Sequence, residues 1–169
     1  ATCLVCESAV PLEHVRSEGR AGRLGAQLMA TVAEGDRQRV YLPPTEEHER
    51  AAHVPRPDDV PMSNLPDQAL GFRVQVYGMT RHADLFTNRQ LTALTTFSDL
   101  VGEARTHIES DATVAGLDPN LASAYADAAT TYLGLATSRL ADWNNQLSRW
   151  EPKAQVPQQL FGRHAVPMV

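Results

Sequence analysis

Between residues 88 and 151 the apolar side chains recur at helical spacing, and no other stretch of the chain restricts the fold as much. Leu91, Leu94, Phe97, Leu100, Val101, Ala104 and Ile108 follow one another at three and four residues, the spacing that lines one face of an α-helix. Thr87 or Asn88 is placed to cap its start, and Gly116 with Asp118-Pro119 breaks it. A second long helix is expected to carry Leu121, Tyr125, Ala128, Tyr132 and Leu135 on one stripe. Leu140, Trp143, Leu147 and Trp150 continue that stripe as far as Pro152. Two long helices joined by a short turn predict an antiparallel αα-hairpin over 82–151. Trp143 and Trp150, seven apart on one face, read as core or interface rather than as base-stacking platforms.

The flanking regions read differently. Within 1–54, residues 26–33 are apolar with partial alternation, Gly35-Asp36 marks a turn, and 39–42 reads as a returning strand. That pattern predicts a β-hairpin. Pro43-Pro44 stops its second strand, and Thr45 is placed to cap a short helix over 46–52, with Glu46 and Glu47 complementing the helix dipole. Residues 55–81 hold Pro55, Pro57, Pro61 and Pro66 and are expected to form a loop, with a short strand over 72–77. The tail, 152–169, turns apolar near its end and reads as truncated, on the way into another strand. The expectation is a single compact α+β domain. It opens with half of a zinc ribbon and a β-hairpin, and a mostly helical part follows. With 169 residues and 43% hydrophobic content, such a domain has material for a real core.

A net charge of -5 argues against a generally basic nucleic-acid-binding coat. The cations are nonetheless distinctive, because Lys153 is the only lysine among 15 lysines and arginines. Arginine grips phosphate and carboxylate as a planar fork. No run approaches the roughly 18 apolar residues of a membrane span, and no signal-peptide pattern opens the chain. A cytoplasmic protein without a membrane partner is expected.

Chemistry concentrates near the start. Cys3 and Cys6 form a Cys-x-x-Cys pair, the only two cysteines present. Two thiolates on a tight turn supply half of a tetrahedral zinc site, and zinc asks for four ligands. One reading has these as two ligands of a ribbon whose other pair lies in preceding polypeptide, making the chain an interior slice of a longer protein. A second completes the site locally through His14, or His48 with His53, but the last two are five apart and diverge on a helix. A third is a redox pair, which wants a following helix and a βαβ setting. Reduced surroundings suit all three.

Next along the chain, Arg16, Arg20 and Arg23 interleave with Gly19, Gly22 and Gly25. Glycines let a backbone approach a phosphate that arginines grip, so a nucleic-acid phosphate contact is one reading. The spacing matches neither a dinucleotide fingerprint nor a Walker motif. The other reading is a Gly-rich connection whose arginines are solvated or paired with Glu13 and Glu18. His82 and His107 read as surface or capping residues, and Glu46, Glu47, Asp58 and Asp59 as solvated acids. No nucleophile elbow or metalloprotease helix occurs, so no catalytic residue and no cofactor-binding residue is assigned.

Three strings carry a resemblance: ATCLVC followed by EGRAGRLGAQLMATVAEGDRQRVYLPPTEEHERAA, then YGMTRHADLFTNRQLTALTTFSDLV, and finally FGRHAVPMV. In that order they are similar to the zinc-ribbon-containing adenine-specific DNA methylases, over essentially the whole chain. The resemblance implies a parent enzyme with an upstream S-adenosylmethionine-binding segment and a downstream Asp-Pro-Pro-Tyr motif. This chain would lie between them, with Cys3 and Cys6 as the second ligand pair of the ribbon. Leu42-Pro43-Pro44-Thr45 does not substitute for Asp-Pro-Pro-Tyr, since it lacks the acceptor Asp and the stacking Tyr. The implied role is non-catalytic, with DNA and the flanking methyltransferase segments as partners. Flipping a base out of a duplex costs a few kcal/mol, so such an enzyme needs surfaces that hold the flanking phosphates. The competing expectation is a structural or protein-interaction module without direct DNA contact.

Overall fold

The structure is a computed structural model, and it describes residues 2, 3, 5–67 and 73–158. The element order is α1 (Leu12–Arg20), β1 (Thr31–Glu34), β2 (Arg39–Leu42), α2 (Glu46–Ala52), 3-10 turns at Val74–Tyr77 and His82–Leu85, α3 (Asn88–Val114), α4 (Pro119–Trp143), β3 (Trp150–Glu151) and β4 (Val156–Pro157). This is a mixed α+β fold. The described residues group into two compact units. One lies within Ala1–His53 and Pro61–Leu85, the other within Val54–Val60 and Phe86–Val169. The physical reason is local: α1 packs on the Val74–Tyr77 turn, while α3 and α4 cover each other.

In the first unit β1 and β2 pair antiparallel, with Val32 opposite Tyr41 and Glu34 opposite Arg39. Gly35 N donates to Gln38 O across the turn, and Arg37 takes a positive φ of 56° there. Thr45 caps α2 as the sequence implied, its hydroxyl accepting from His48 N while the His48 ring accepts from Thr45 N. The strand expected over 72–77 is a 3-10 turn over its described part, ended by Gly78 at φ 86°. Alternation gave the wrong period here, since Val74, Gln75 and Val76 have no neighbouring strand to pair with among the described residues. The Pro-rich loop is tied down by backbone bonds from Leu65 N to Thr80 O and from His82 N to Ser63 O, and Leu65 is buried.

In the second unit Thr87 caps α3 in a box with Gln90, and Asp118 caps α4 with Pro119 in the first turn. Leu91 is almost wholly buried, worth roughly 1.5–3 kcal/mol of hydrophobic stabilisation. Where α4 meets α3, Ala122 and Ala126 are fully buried, and further along Leu133, Thr137 and Leu140 of α4 line a shared groove with Phe97, Leu100 and Val101 of α3. The helices are also stitched by Arg105, which donates to Asp127 at 2.7 Å, to Ser123 at 3.1 Å and to Glu109 at 2.8 Å. The second helix does not run on toward Pro152 as its periodicity suggested. Asn144 Nδ2 donates to Leu140 O, and the buried Asn145 donates to Ala141 O and Asp142 O while accepting from Leu147 N. Those amides replace the next helical turn, so Leu147 and Trp150 leave the stripe and Trp150 enters β3. The strand expected near the C-terminus lies outside the described residues.

Candidate metal half-site and arginine cluster

The Cys-x-x-Cys segment is a narrow antiparallel knuckle. Thr2 bridges Ala9, Cys3 N donates to Ser8 O at 2.9 Å, and Glu7 N donates to Cys3 O at 3.0 Å. Glu7 closes the turn in the left-handed region at φ 57°. Both cysteines are free thiols, Cys3 half-buried and Cys6 exposed. Cys6 Sγ lies 3.4 Å from Ser8 Oγ. The Ser8 side chain, then its backbone, then the Cys3 thiol hold the Cys6 thiol down at about 7 by hydrogen bonding. A thiol at that value is substantially thiolate at neutral pH, the form that zinc takes as a ligand.

Among the described residues no group of three or more His, Cys, Asp and Glu is gathered to hold a metal. His48 is engaged by Thr45 and lies 3.4 Å from Thr31 Oγ1, so it is built into the α2 cap. Cys3 and Cys6, two free thiols on this turn, are the residues that would hold a metal, as two of the four ligands that zinc asks for. The redox reading lacks its framework, since the next helix starts only at Leu12 and the segment after Cys6 turns back to pair with Thr2.

The arginines do not sit in a Gly-rich connection as expected. Arg16 and Arg20 lie on α1, and Arg23 follows its C-terminus. Gly22 takes φ 67°, with Gly22 N donating to Gly19 O and Arg23 N to Glu18 O. This pair of bonds is a Schellman closure. Sequence reasoning missed α1, although Gly22 past the end, Arg20 in the last turn and Glu13 in the first are its signals. Gly19 serves packing: a Cβ there would meet Tyr77 O at 2.5 Å, and a Cβ on Gly78 would meet Gly19 O at 2.5 Å.

Each guanidinium faces an acid. Arg20 donates to Glu13 at 2.6 Å, and Arg23 makes a two-pronged contact with Glu18, both bonds at 2.6 Å. These pairs hold both carboxyls below the usual range, through Arg20 and then Arg16 for Glu13, and through Arg23 for Glu18. Glu18 in turn raises Arg23. Arg16 is the least satisfied of the three. Its contact with Glu13 is 3.8 Å, and its Nε is buried without a hydrogen-bond partner among the described residues.

The remaining candidates are structural. His82 Nδ1 lies 3.0 Å from Ser63 Oγ and 3.1 Å from Ser63 O, and His107 is exposed on α3. Glu46 and Glu47 lie in the first turn of α2, and Asp58 and Asp59 are exposed. Arg139 stacks 5.9 Å above the Trp143 ring. No helix of the described residues is long and apolar enough to cross a membrane. In comparisons with family models, curated proteins and solved structures, nothing matches this chain.

Proposed function

We propose that this chain is a non-catalytic interior part of an S-adenosylmethionine-dependent, adenine-specific DNA methyltransferase acting in the cytoplasm. In this reading it helps hold DNA or bridges the catalytic halves. Cys3 and Cys6 contribute two of four zinc ligands, and the flanking methyltransferase segments supply the rest of the metal site, the methyl donor and the target-amine motif. The observation that carries the reading is the Cys3–Ser8 knuckle, in which the Cys6 thiol is hydrogen-bonded toward the thiolate form. It stands beside the ordered likeness of three long strings to that family. Arg16, Arg20 and Arg23 are the proposed phosphate contacts, with side chains that are 36%, 49% and 62% exposed.

The pairing of these arginines with Glu13 and Glu18 favours a second reading, a structural or protein-interaction module. One experiment separates the two. In a methyltransferase carrying this chain, duplex DNA affinity is measured against salt for the Arg16→Ala/Arg20→Ala/Arg23→Ala and Glu13→Gln/Glu18→Gln variants. Phosphate binding predicts, in the first, a log-log salt slope shallower by roughly 0.9 for every phosphate that is no longer neutralised. It also predicts tighter binding in the second, whose guanidiniums are released. Unchanged slopes in both variants would remove DNA binding from this cluster and leave the interaction module.

A further inference from the structure

The apolar stripe of α4 points away from α3. Leu121, Tyr125, Tyr132 and Leu135 are 63%, 59%, 75% and 62% exposed, and Ala128 between them is exposed as well. The face toward α3 carries the fully buried Ala122 and Ala126 instead. At about 100° per residue the centres of the two faces lie roughly 120° apart around the axis. The outward stripe has the spacing of a coiled-coil seam, alternating four and three residues across two heptads. Such a run of large exposed apolar residues marks an interaction site rather than ordinary surface.

We propose that this outward face of α4 is a self-association surface on which a second copy of the chain docks antiparallel. The order of residue sizes selects the copy and its direction. Parallel, in-register pairing would set Tyr125 on Tyr125 and Ala128 on Ala128, so that one layer is crowded and the next is void. Antiparallel pairing about a two-fold axis near residues 126 and 127 sets Tyr125 of each copy over Ala128 of the other. Leu121 then meets Tyr132 of the second copy. The Tyr125–Ala128 and Leu121–Tyr132 layers each hold one larger and one smaller group, the condition for even packing, and this central part of the surface is self-complementary as a two-fold interface requires.

Charge points the same way. Between Pro119 and Ser138 the only charged residue is Asp127, and Arg105 of the same chain holds it at 2.7 Å. Nothing on the seam repels a copy of itself, and no flanking charge selects an acidic or basic partner helix. The antiparallel arrangement also opposes the two helix dipoles. Burying these side chains on both copies removes on the order of 1,000 Å² in total, the low end for a specific interface. A weak, concentration-dependent dimer follows.

Sedimentation analysis of the chain tests this without reference to DNA. The mass should rise with concentration toward twice the 18.5 kDa of one chain. Ala128→Glu, an exposed substitution that the helix tolerates, should weaken association by roughly tenfold or more by burying an unpaired carboxylate. Circular dichroism confirms that the variant folds. In a Cys3→Ser/Cys6→Ser background, Tyr125→Cys mixed with Ala128→Cys should cross-link to each other more readily than either does to itself. A chain that stays monomeric, a dimer indifferent to Ala128→Glu, or preferential self-cross-linking would each overturn the proposal.

Discussion

At the residue scale, Gly19 shows two opposed effects whose sizes decide the outcome. Alanine is preferred over glycine inside a helix by about 1 kcal/mol. A Cβ at Gly19, however, would meet the Tyr77 carbonyl at 2.5 Å, against backbone that cannot swing aside. Overpacking of that kind costs about 1–3 kcal/mol, so Gly19→Ala is expected to destabilise despite its propensity gain. Gly102 sits in α3 with nothing within 4 Å of a new Cβ. Gly102→Ala should therefore stabilise by about 0.5–1 kcal/mol. Urea unfolding of the two variants reads both signs, and stabilisation by Gly19→Ala would show that α1 and the Val74–Tyr77 turn separate freely. The glycine is visible in the sequence as part of a Gly-Arg run. Its use is not, because the carbonyl it accommodates lies 58 residues away along the chain.

At the element scale, the hairpin of α3 and α4 was legible and its seam was not. Caps at Thr87 and Asp118 and the break at Gly116 are local chemistry, so the starts of both helices follow from neighbouring residues. Periodicity identifies a face but not what the face meets. On α4 the Leu121–Leu135 stripe is exposed, while Ala122 and Ala126 are buried toward α3, where small side chains permit close approach of the two axes. Ala126→Leu inserts three carbons where exposure is zero, and should lower stability by about 1–3 kcal/mol in thermal or urea unfolding. A neutral result would mean that the helices part without cost. The end of α4 was misread for a related reason. Trp143, Leu147 and Trp150 keep a helical interval, while Asn144 and Asn145 cap the backbone first.

On the scale of the whole molecule, two units imply two cooperative sets of backbone amides. Under native conditions, hydrogen exchange in the Ala126→Leu variant should quicken throughout α3 and α4 and leave α1 at its original rate. Uniform acceleration in both sets would instead describe one cooperative domain. The candidate site follows the same division, since the Cys knuckle and the arginines all belong to the first unit. Neighbouring residues wrote the knuckle into the sequence. The acids that occupy the arginines were visible as a sequence alternative, and α1 turns that alternative into geometry by stacking Glu13, Arg16 and Arg20 on successive turns.

What the sequence determined alone was what short-range forces decide. Caps, turns, the Arg39–Leu42 strand, the Cys-x-x-Cys bend and the α+β class all depend on residues within a few positions of one another. Tertiary structure decided the choices that need a distant neighbour. These include Gly19 against Tyr77, the alanine seam between α3 and α4, and the exposure of the Leu121–Leu135 stripe. Side-chain period reports that a face is apolar, and only the volume available in three dimensions selects which apolar face is covered.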